Sequence, residues 1–213
     1  VDGRPGRVRT SLLRRHVRRS GTEVVRVGGH LAVALSDALI DLARWNGLMA
    51  GVAAMDAALN NGLCSAEGLQ EALERLPETA GGGPRARQAV RLADGRSESP
   101  GESMSRVRMW EHRLPKPELQ VSVRVGSELY ILDYYWPDYV VAGEFDGRVK
   151  YRSASFGQDP EDVVWREKLR EDALRASGLT VARWTWAQAW GDAGAQMLRR
   201  LSAAGVRPTG RRW

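Results

Sequence analysis

Cysteine occurs once, at Cys64, so the chain cannot close a disulfide on itself. That suits a reducing compartment, and a cytoplasmic protein is expected. Histidine is as sparse: His16, His30 and His112 are scattered, and with one thiol they give no zinc-ligand spacing. No apolar run approaches the ~20 residues of a membrane span, and no signal peptide is seen; neither a P-loop nor a dinucleotide fingerprint occurs. A G-x-S-x-G elbow for serine nucleophile chemistry is missing too. Lysine is scarce: of 32 basic residues only Lys116, Lys150 and Lys168 are lysines. What remains is a 213-residue chain, 43% hydrophobic and 27% charged, which excludes collagen-like and wholly disordered classes. It has length for one large domain or two small ones. The first residue is Val1, as expected for a chain lacking part of its natural N-terminus.

The net charge of +6 invites a nucleic-acid reading, but its location decides what it means. Residues 1–20 hold seven Arg and one acid, and residues 191–213 hold five basic groups and one acid. Residues 21–100 sum to −3 and residues 101–190 to −1. The two ends therefore carry the excess. Arg14-Arg15-His16-Val17-Arg18-Arg19 reads as a phosphate-contact strip or as a solvated terminus. Both ends would add salt-sensitive, nonspecific attraction to phosphate without naming a reaction.

The chain falls into segments. After the basic segment 1–20, residues 21–28 alternate like a strand and stop at Gly28-Gly29. Residues 31–60 show helical periodicity, with Ser36 or Asp37 as a cap and Asn46-Gly47 as a break. Asn60-Asn61-Gly62 ends a second helix, and Ser65 opens a third, so 21–78 is an α-rich module. Residues 79–96, with Gly81-Gly82-Gly83-Pro84, read as a linker carrying at most a short basic helix at 85–93. Residues 97–204 form an α/β unit. A helix runs from Gly101 to Arg113, capped by Ser99 with Pro100 in its first turn. Strands follow at Leu119–Val125, Leu129–Tyr135 and Tyr139–Phe145. After a polar loop comes a helix from Pro160 to Ser177, a strand at Leu179–Trp184 and a closing helix at 186–204. The order α-β-β-β-α-β-α is a meander followed by a helical crossover, which can set the fourth strand parallel to a neighbour. The fold class is α+β: a mixed sheet flanked by helices, with a smaller mostly α module before it. Residues 205–213 form a basic tail.

The chemistry-bearing pattern is acidic. Asp133 lies on the second strand of the meander, and Glu144 and Asp146 end the third. Residues two apart on a strand share a face, so Glu144 and Asp146 point together. Antiparallel pairing through the turn at 136–138 brings Asp133 to Glu144. Three carboxylates at one sheet edge repel unless a cation intervenes, and hard oxygen donors in an incomplete shell suit Mg²⁺, with Mn²⁺ as the substitute. Such an ion stabilises charge on a phosphate undergoing attack. The alternative is three solvent-facing acids at strand ends. Lys150, soon after, would position or activate water. Trp184 and Trp186 would stack on bases or pack in the core, and Trp136 would wedge at the turn or pack.

Five strings in order carry a resemblance. They are Ser97-x-Ser99-Pro100-Gly101-Glu102, Leu114-Pro115-x-Pro117-x-x-Gln120 and Asp133-x-x-Trp136-Pro137. Then come Gly143-Glu144-Phe145-Asp146-Gly147-Arg148-x-Lys150-Tyr151 and Trp165-Arg166-Glu167-Lys168-x-Arg170-Glu171-Asp172-x-Leu174-Arg175. Together, over about residues 97–190, they resemble an endonuclease-like domain similar to the very-short-patch mismatch repair endonucleases of the PD-(D/E)XK, or restriction-endonuclease-like, superfamily. The resemblance implies that Asp133 and Glu144 hold a metal and that Glu102 supports it. The third position of the acidic element should be Lys but is Asp146, so the lysine role passes to Lys150 or Lys168. Glu167, Lys168 and Arg170 would support the site or bind phosphate, unless they only form ion pairs along a helix. Arg148, Arg152 and Trp136 would contact DNA. Residues 21–78 resemble the C-terminal region of AbiEi-type antitoxins, on Leu39 to Arg44, Ala53 to Leu59 and Gly62-Leu63-Cys64. The expected activity is Mg²⁺-dependent hydrolysis of DNA, with RNA a further substrate to test. A homodimer or an antitoxin-type protein is the expected protein partner. The alternative is a catalytically degenerate nucleic-acid-binding or regulatory protein.

Overall fold

The computed structural model describes residues 16–19, 21–147 and 160–213, the last without the side chains at 160–164, 166 and 167. Arg148, Lys150 and Arg152 lie outside the described residues, as does the Glu167 side chain. Strands β1 (Val24–Val27) and β2 (His30–Val33) form a hairpin through Gly28 and Gly29. Both glycines have positive φ, 55° and 82°, which a two-residue turn requires to match the strand twist. The helical pattern expected from residue 31 thus begins later. Helix α1 is Leu35–Asn46, and its cap position is Ala34 with no side-chain bond. Ser36 and Asp37 lie inside the helix and do not cap it. Asp37 instead accepts hydrogen bonds from Arg19 (2.7 Å), Arg75 (2.8 Å) and the Glu23 N–H (3.3 Å), tying hairpin, α1 and the end of α3 together.

Gly47 separates α1 from α2 (Leu48–Asn60), and Ser65 caps α3 (Ala66–Glu74) by accepting from the Gly68 N–H at 3.1 Å. The stretch expected as a linker contains helix α4 (Gly83–Leu92). Pro84 sits in its first turn, where a missing N–H costs nothing. Ala86, Ala89 and Leu92, three residues apart, are buried in one core with Ile40, Ala43, Val52, Met55 and Leu69. Gly51 lets α1 and α2 meet closely, since a Cβ there would stand 2.4 Å from that of Ala43.

Helix α5 (Pro100–Glu111) joins this core to the next. Val107 and Trp110 pack into the helical core, while Met109 packs against Tyr134, Trp136, Val141 and Trp184. The sheet runs β3 (Glu118–Val125), β4 (Glu128–Trp136), β5 (Val141–Asp146), β6 (Thr180–Thr185). The first three are antiparallel neighbours; β6 is parallel to β5 after the crossover helix α6 (Pro160–Ala176). The fold is α+β, as the element order implies. Trp136 does not wedge outward: with Tyr134 it packs into the core that Met109 of α5 joins, and it is 1% exposed. Its indole N–H donates to the Pro115 carbonyl at 2.9 Å, so it is unavailable to DNA. Trp184 is also fully buried and donates to Ser105 Oγ at 2.9 Å. The expected closing helix is broken. α7 (Trp186–Trp190) and α8 (Ala195–Ala203) are separated by a 3-10 turn, Gly191–Gly194, in which Asp192 and Ala193 have φ of 46° and 51°. No helix among the described residues is long and apolar enough to cross a membrane.

Candidate functional site

The geometry is set by strand register. Tyr134 pairs with Gly143 across β4 and β5, so Asp133 stands one step on, beside Glu144. The Phe145 N–H donates to Asp133 Oδ2 at 2.8 Å. Helix α5 reaches the same place because Gly101 has no side chain: a Cβ there would meet the Phe145 ring at 2.1 Å. That approach delivers Glu102, in the first turn of α5. Its Oε1 accepts from the Ser99 hydroxyl at 2.6 Å, and its Oε2 from the Glu98 N–H (2.9 Å) and the Gln120 amide (3.1 Å). Ser99 in turn accepts from the Glu102 N–H at 3.2 Å, so Glu102 secures the helix start as well as lining the site. Gln120 has a φ of 52° and lies between residues paired with Tyr134 and Leu132, hence across from Asp133.

Glu144 is 5% exposed and has two guanidinium neighbours. Arg170, from α6, approaches Oε1 at 2.7 Å, and Arg183, from β6, approaches Oε2 at 3.3 Å. Arg170 also donates to the Ile131 carbonyl at 2.6 Å, which pins α6 to β4. Arg183 is the parallel-strand partner of Glu144. Asp146 closes β5, half-buried. Lys168 instead lies over the Trp165 ring, 5.9 Å from its centroid, on an exposed part of α6. The structure therefore brings together Glu102, Asp133, Glu144 and Arg170. Sequence reading missed Arg183, and it gave no role to Gln120, which stood in a quoted motif.

Burial raises the Asp133 carboxyl to about 7, opposed by the Phe145 N–H and reinforced by the charges of Glu102 and Glu144. Burial also pushes the Tyr134 phenol up, so it stays neutral and donates to the Glu102 carbonyl at 2.6 Å. Among the described residues no group of three or more His, Cys, Asp or Glu forms a ready metal cage. Hydrogen bonds occupy both oxygens of Glu102, and Arg170 and Arg183 approach both oxygens of Glu144, so a cation held by Asp133 and Glu144 would share Glu144 with its guanidiniums. Two hard carboxylates fit a divalent cation that keeps several waters and takes others from phosphate.

The raised Asp133 predicts a pH-dependent stability. Unfolded, the group ionises near 3.8; folded, it ionises near 7. Between these values the folded state holds a proton that the unfolded state has lost, so this group's contribution falls as pH rises through the window. Asp133→Asn is neutral and keeps an acceptor for Phe145. In chelator it should be about 1–3 kcal/mol more stable than wild type at pH 8 and nearly equal at pH 4, by thermal denaturation. An equal difference at both pH values would reject the assignment.

No family model and no solved structure matches the chain. It is similar to two uncharacterized proteins of Mycobacterium tuberculosis, from strain CDC 1551 / Oshkosh and strain ATCC 25618 / H37Rv. Each is 34% identical over 166 residues, which are 76% of this chain. The chain spans 58% of the length of these curated relatives.

Proposed function

We propose that the protein is a metal-dependent endonuclease that hydrolyses DNA phosphodiester bonds. The observation that carries this reading is the buried pairing of Asp133 with Glu144 across β4 and β5, with Glu102 adding to the charge. Among the described residues Asp133 is in no ion pair although it is buried beside Glu102 and Glu144, and a divalent cation is the chemistry that supplies a counter-charge there. A cation held by Asp133 and Glu144 would offset charge on the phosphate and increase the acidity of a water molecule. Ser99, Gln120 and Glu98 fix Glu102, and the Phe145 N–H fixes Asp133, so the acids are oriented before substrate arrives. Arg170 and Arg183 hold positive charge beside Glu144, where a substrate phosphate would approach. By the resemblance, Lys150 orients water. The α-rich module before the site fits a regulatory, antitoxin-like role.

The test is incubation of the purified chain with DNA and RNA, with Mg²⁺, Mn²⁺ or EDTA. Cleavage of DNA that requires the divalent ion is the expected result. RNA cleavage alone would reassign the substrate. Retention of DNA with no divalent-dependent turnover would replace the reading with that of a degenerate binding module, which the double arginine contact of Glu144 favours.

A further inference from the structure

Five exposed cations gather where residues 207–213 dock on the C-terminal end of α5. The Thr209 N–H donates to the Arg113 carbonyl at 2.8 Å. The Trp213 indole N–H donates to the Leu114 carbonyl, and the Trp110 indole N–H donates to the Trp213 carbonyl, both at 3.0 Å. The Arg212 guanidinium lies over the Trp110 ring, 4.5 Å from its centroid, and the Lys116 ammonium lies 5.6 Å from that of Trp213. Arg113 comes from the helix end, and Arg207 and Arg211 from the docked segment. Among the described residues none of these five is ion-paired, whereas Arg75, Arg96, Arg108 and Arg175 each have a carboxylate partner.

Two further observations concern Arg212, Lys116 and Arg113. A ring face beneath a cation restrains it and leaves its N–H donors for another partner. And Arg113 has a φ of 59°, at the position after a helix end where glycine is the usual residue. The Leu114 N–H reaches the Met109 carbonyl (2.9 Å) and the Arg113 N–H the Trp110 carbonyl (3.1 Å), the bonding pattern that demands the left-handed conformation. A cation therefore sits where the backbone disfavours any side chain, within an unneutralised positive surface.

We propose that Arg113, Lys116, Arg207, Arg211 and Arg212 form a contact surface for the phosphate backbone of nucleic acid, distinct from the acidic site. Its partner rests on the nucleic-acid reading above. Arg113 follows Glu102 by eleven residues, about 16 Å along the helix axis or about five base pairs of duplex. A duplex of ordinary footprint is long enough to reach from one to the other. The surface binds without reading sequence, since phosphate contacts carry none.

The experiment is fluorescence anisotropy of a labelled DNA duplex in EDTA, across about 50–200 mM salt. The variant Lys116→Gln/Arg207→Gln/Arg211→Gln/Arg212→Gln should lower the slope of log K against log salt by about 3.6, at about 0.9 per phosphate contact and one contact per cation. Arg113→Gly should lower it by about 1 with no loss of Tm, because glycine accepts that φ without strain. Arg87→Gln/Arg91→Gln, on exposed α4 positions, should keep the wild-type slope. Absence of binding by the wild type, an unchanged slope in the folded four-cation variant, or an equal loss per cation in the α4 control would each overturn the proposal. In EDTA no metal-dependent turnover occurs, so this outcome and that of the hydrolysis assay fail separately.

Discussion

Asp133→Asn and Glu144→Gln should each lower divalent-dependent DNA cleavage by about two to three powers of ten. A metal ion contributes several kcal/mol to a phosphoryl transition state, and each 1.36 kcal/mol is a factor of ten. Each amide retains an acceptor oxygen where the acid had one. The Asp133→Asn side chain still accepts from the Phe145 N–H, and the Glu144→Gln side chain still accepts from Arg170. What they remove is the negative charge a cation requires. Alanine would be a poorer probe at 144, because it would strand two guanidiniums against a buried sheet edge. The Asp133 variant also separates chemistry from folding, since it is expected to be more stable than wild type at pH 8. Loss of cleavage in the more stable protein cannot come from unfolding. Measured kcat with plasmid or oligonucleotide DNA decides it: wild-type turnover in both variants would remove Asp133 and Glu144 from the reaction.

How far this site was legible in the sequence depends on the kind of contact. The juxtaposition of Asp133 and Glu144 follows from a short turn and an antiparallel register, both local, and so it could be read. Arg183 faces Glu144 through a parallel pairing that needs the whole α6 crossover, and no local pattern announces it. Gln120 turns to Glu102 through a left-handed φ that a strand-like alternation hides. Glu102 did carry a readable signal, the Ser99-x-x-Glu102 capping spacing, alongside its implied metal role. Trp136 carried one too, in the period-two spacing from Tyr134, but its position beside a turn suggested exposure. In the fold, strands β3 to β6 and the Ser99–Pro100 and Pro160–Gly178 boundaries were readable from alternation and caps. Helix α4 was read as a short basic helix at 85–93, but its place in the core was not: its buried face is mostly alanine, a weak hydrophobic signal, behind a glycine run that resembles a linker. Strand β2 merged into the Ala/Leu periodicity of α1, and the kink at Asp192-Ala193 has no proline to mark it.

Asp56→Ala and Arg106→Met should each destabilise the fold by about 3–5 kcal/mol, a large part of the 5–15 kcal/mol typical of a domain. Asp56 is on α2 and Arg106 on α5, with side chains 1% and 4% exposed. The pair is embedded in further bonds: the Asp94 N–H donates to Asp56 at 2.7 Å, and Arg106 donates to the Leu92 carbonyl. Removing either partner leaves a buried charge without its counterion. Yet the pair itself is no large source of stability. Burial pushes the Asp56 carboxyl up even with Arg106 beside it, so desolvation outweighs the attraction. The double variant Asp56→Leu/Arg106→Met should therefore recover most of what either single variant loses, a coupling of several kcal/mol. Urea denaturation of the four proteins measures it, and single variants that cost under about 1 kcal/mol would dismiss the argument. The pair also bears on the site, because α5 carries Glu102 and Gly101 to the sheet edge. The arginine that anchors α5 to the helical core lies one turn beyond Glu102, so the two cores and the acids are fixed by the same helix.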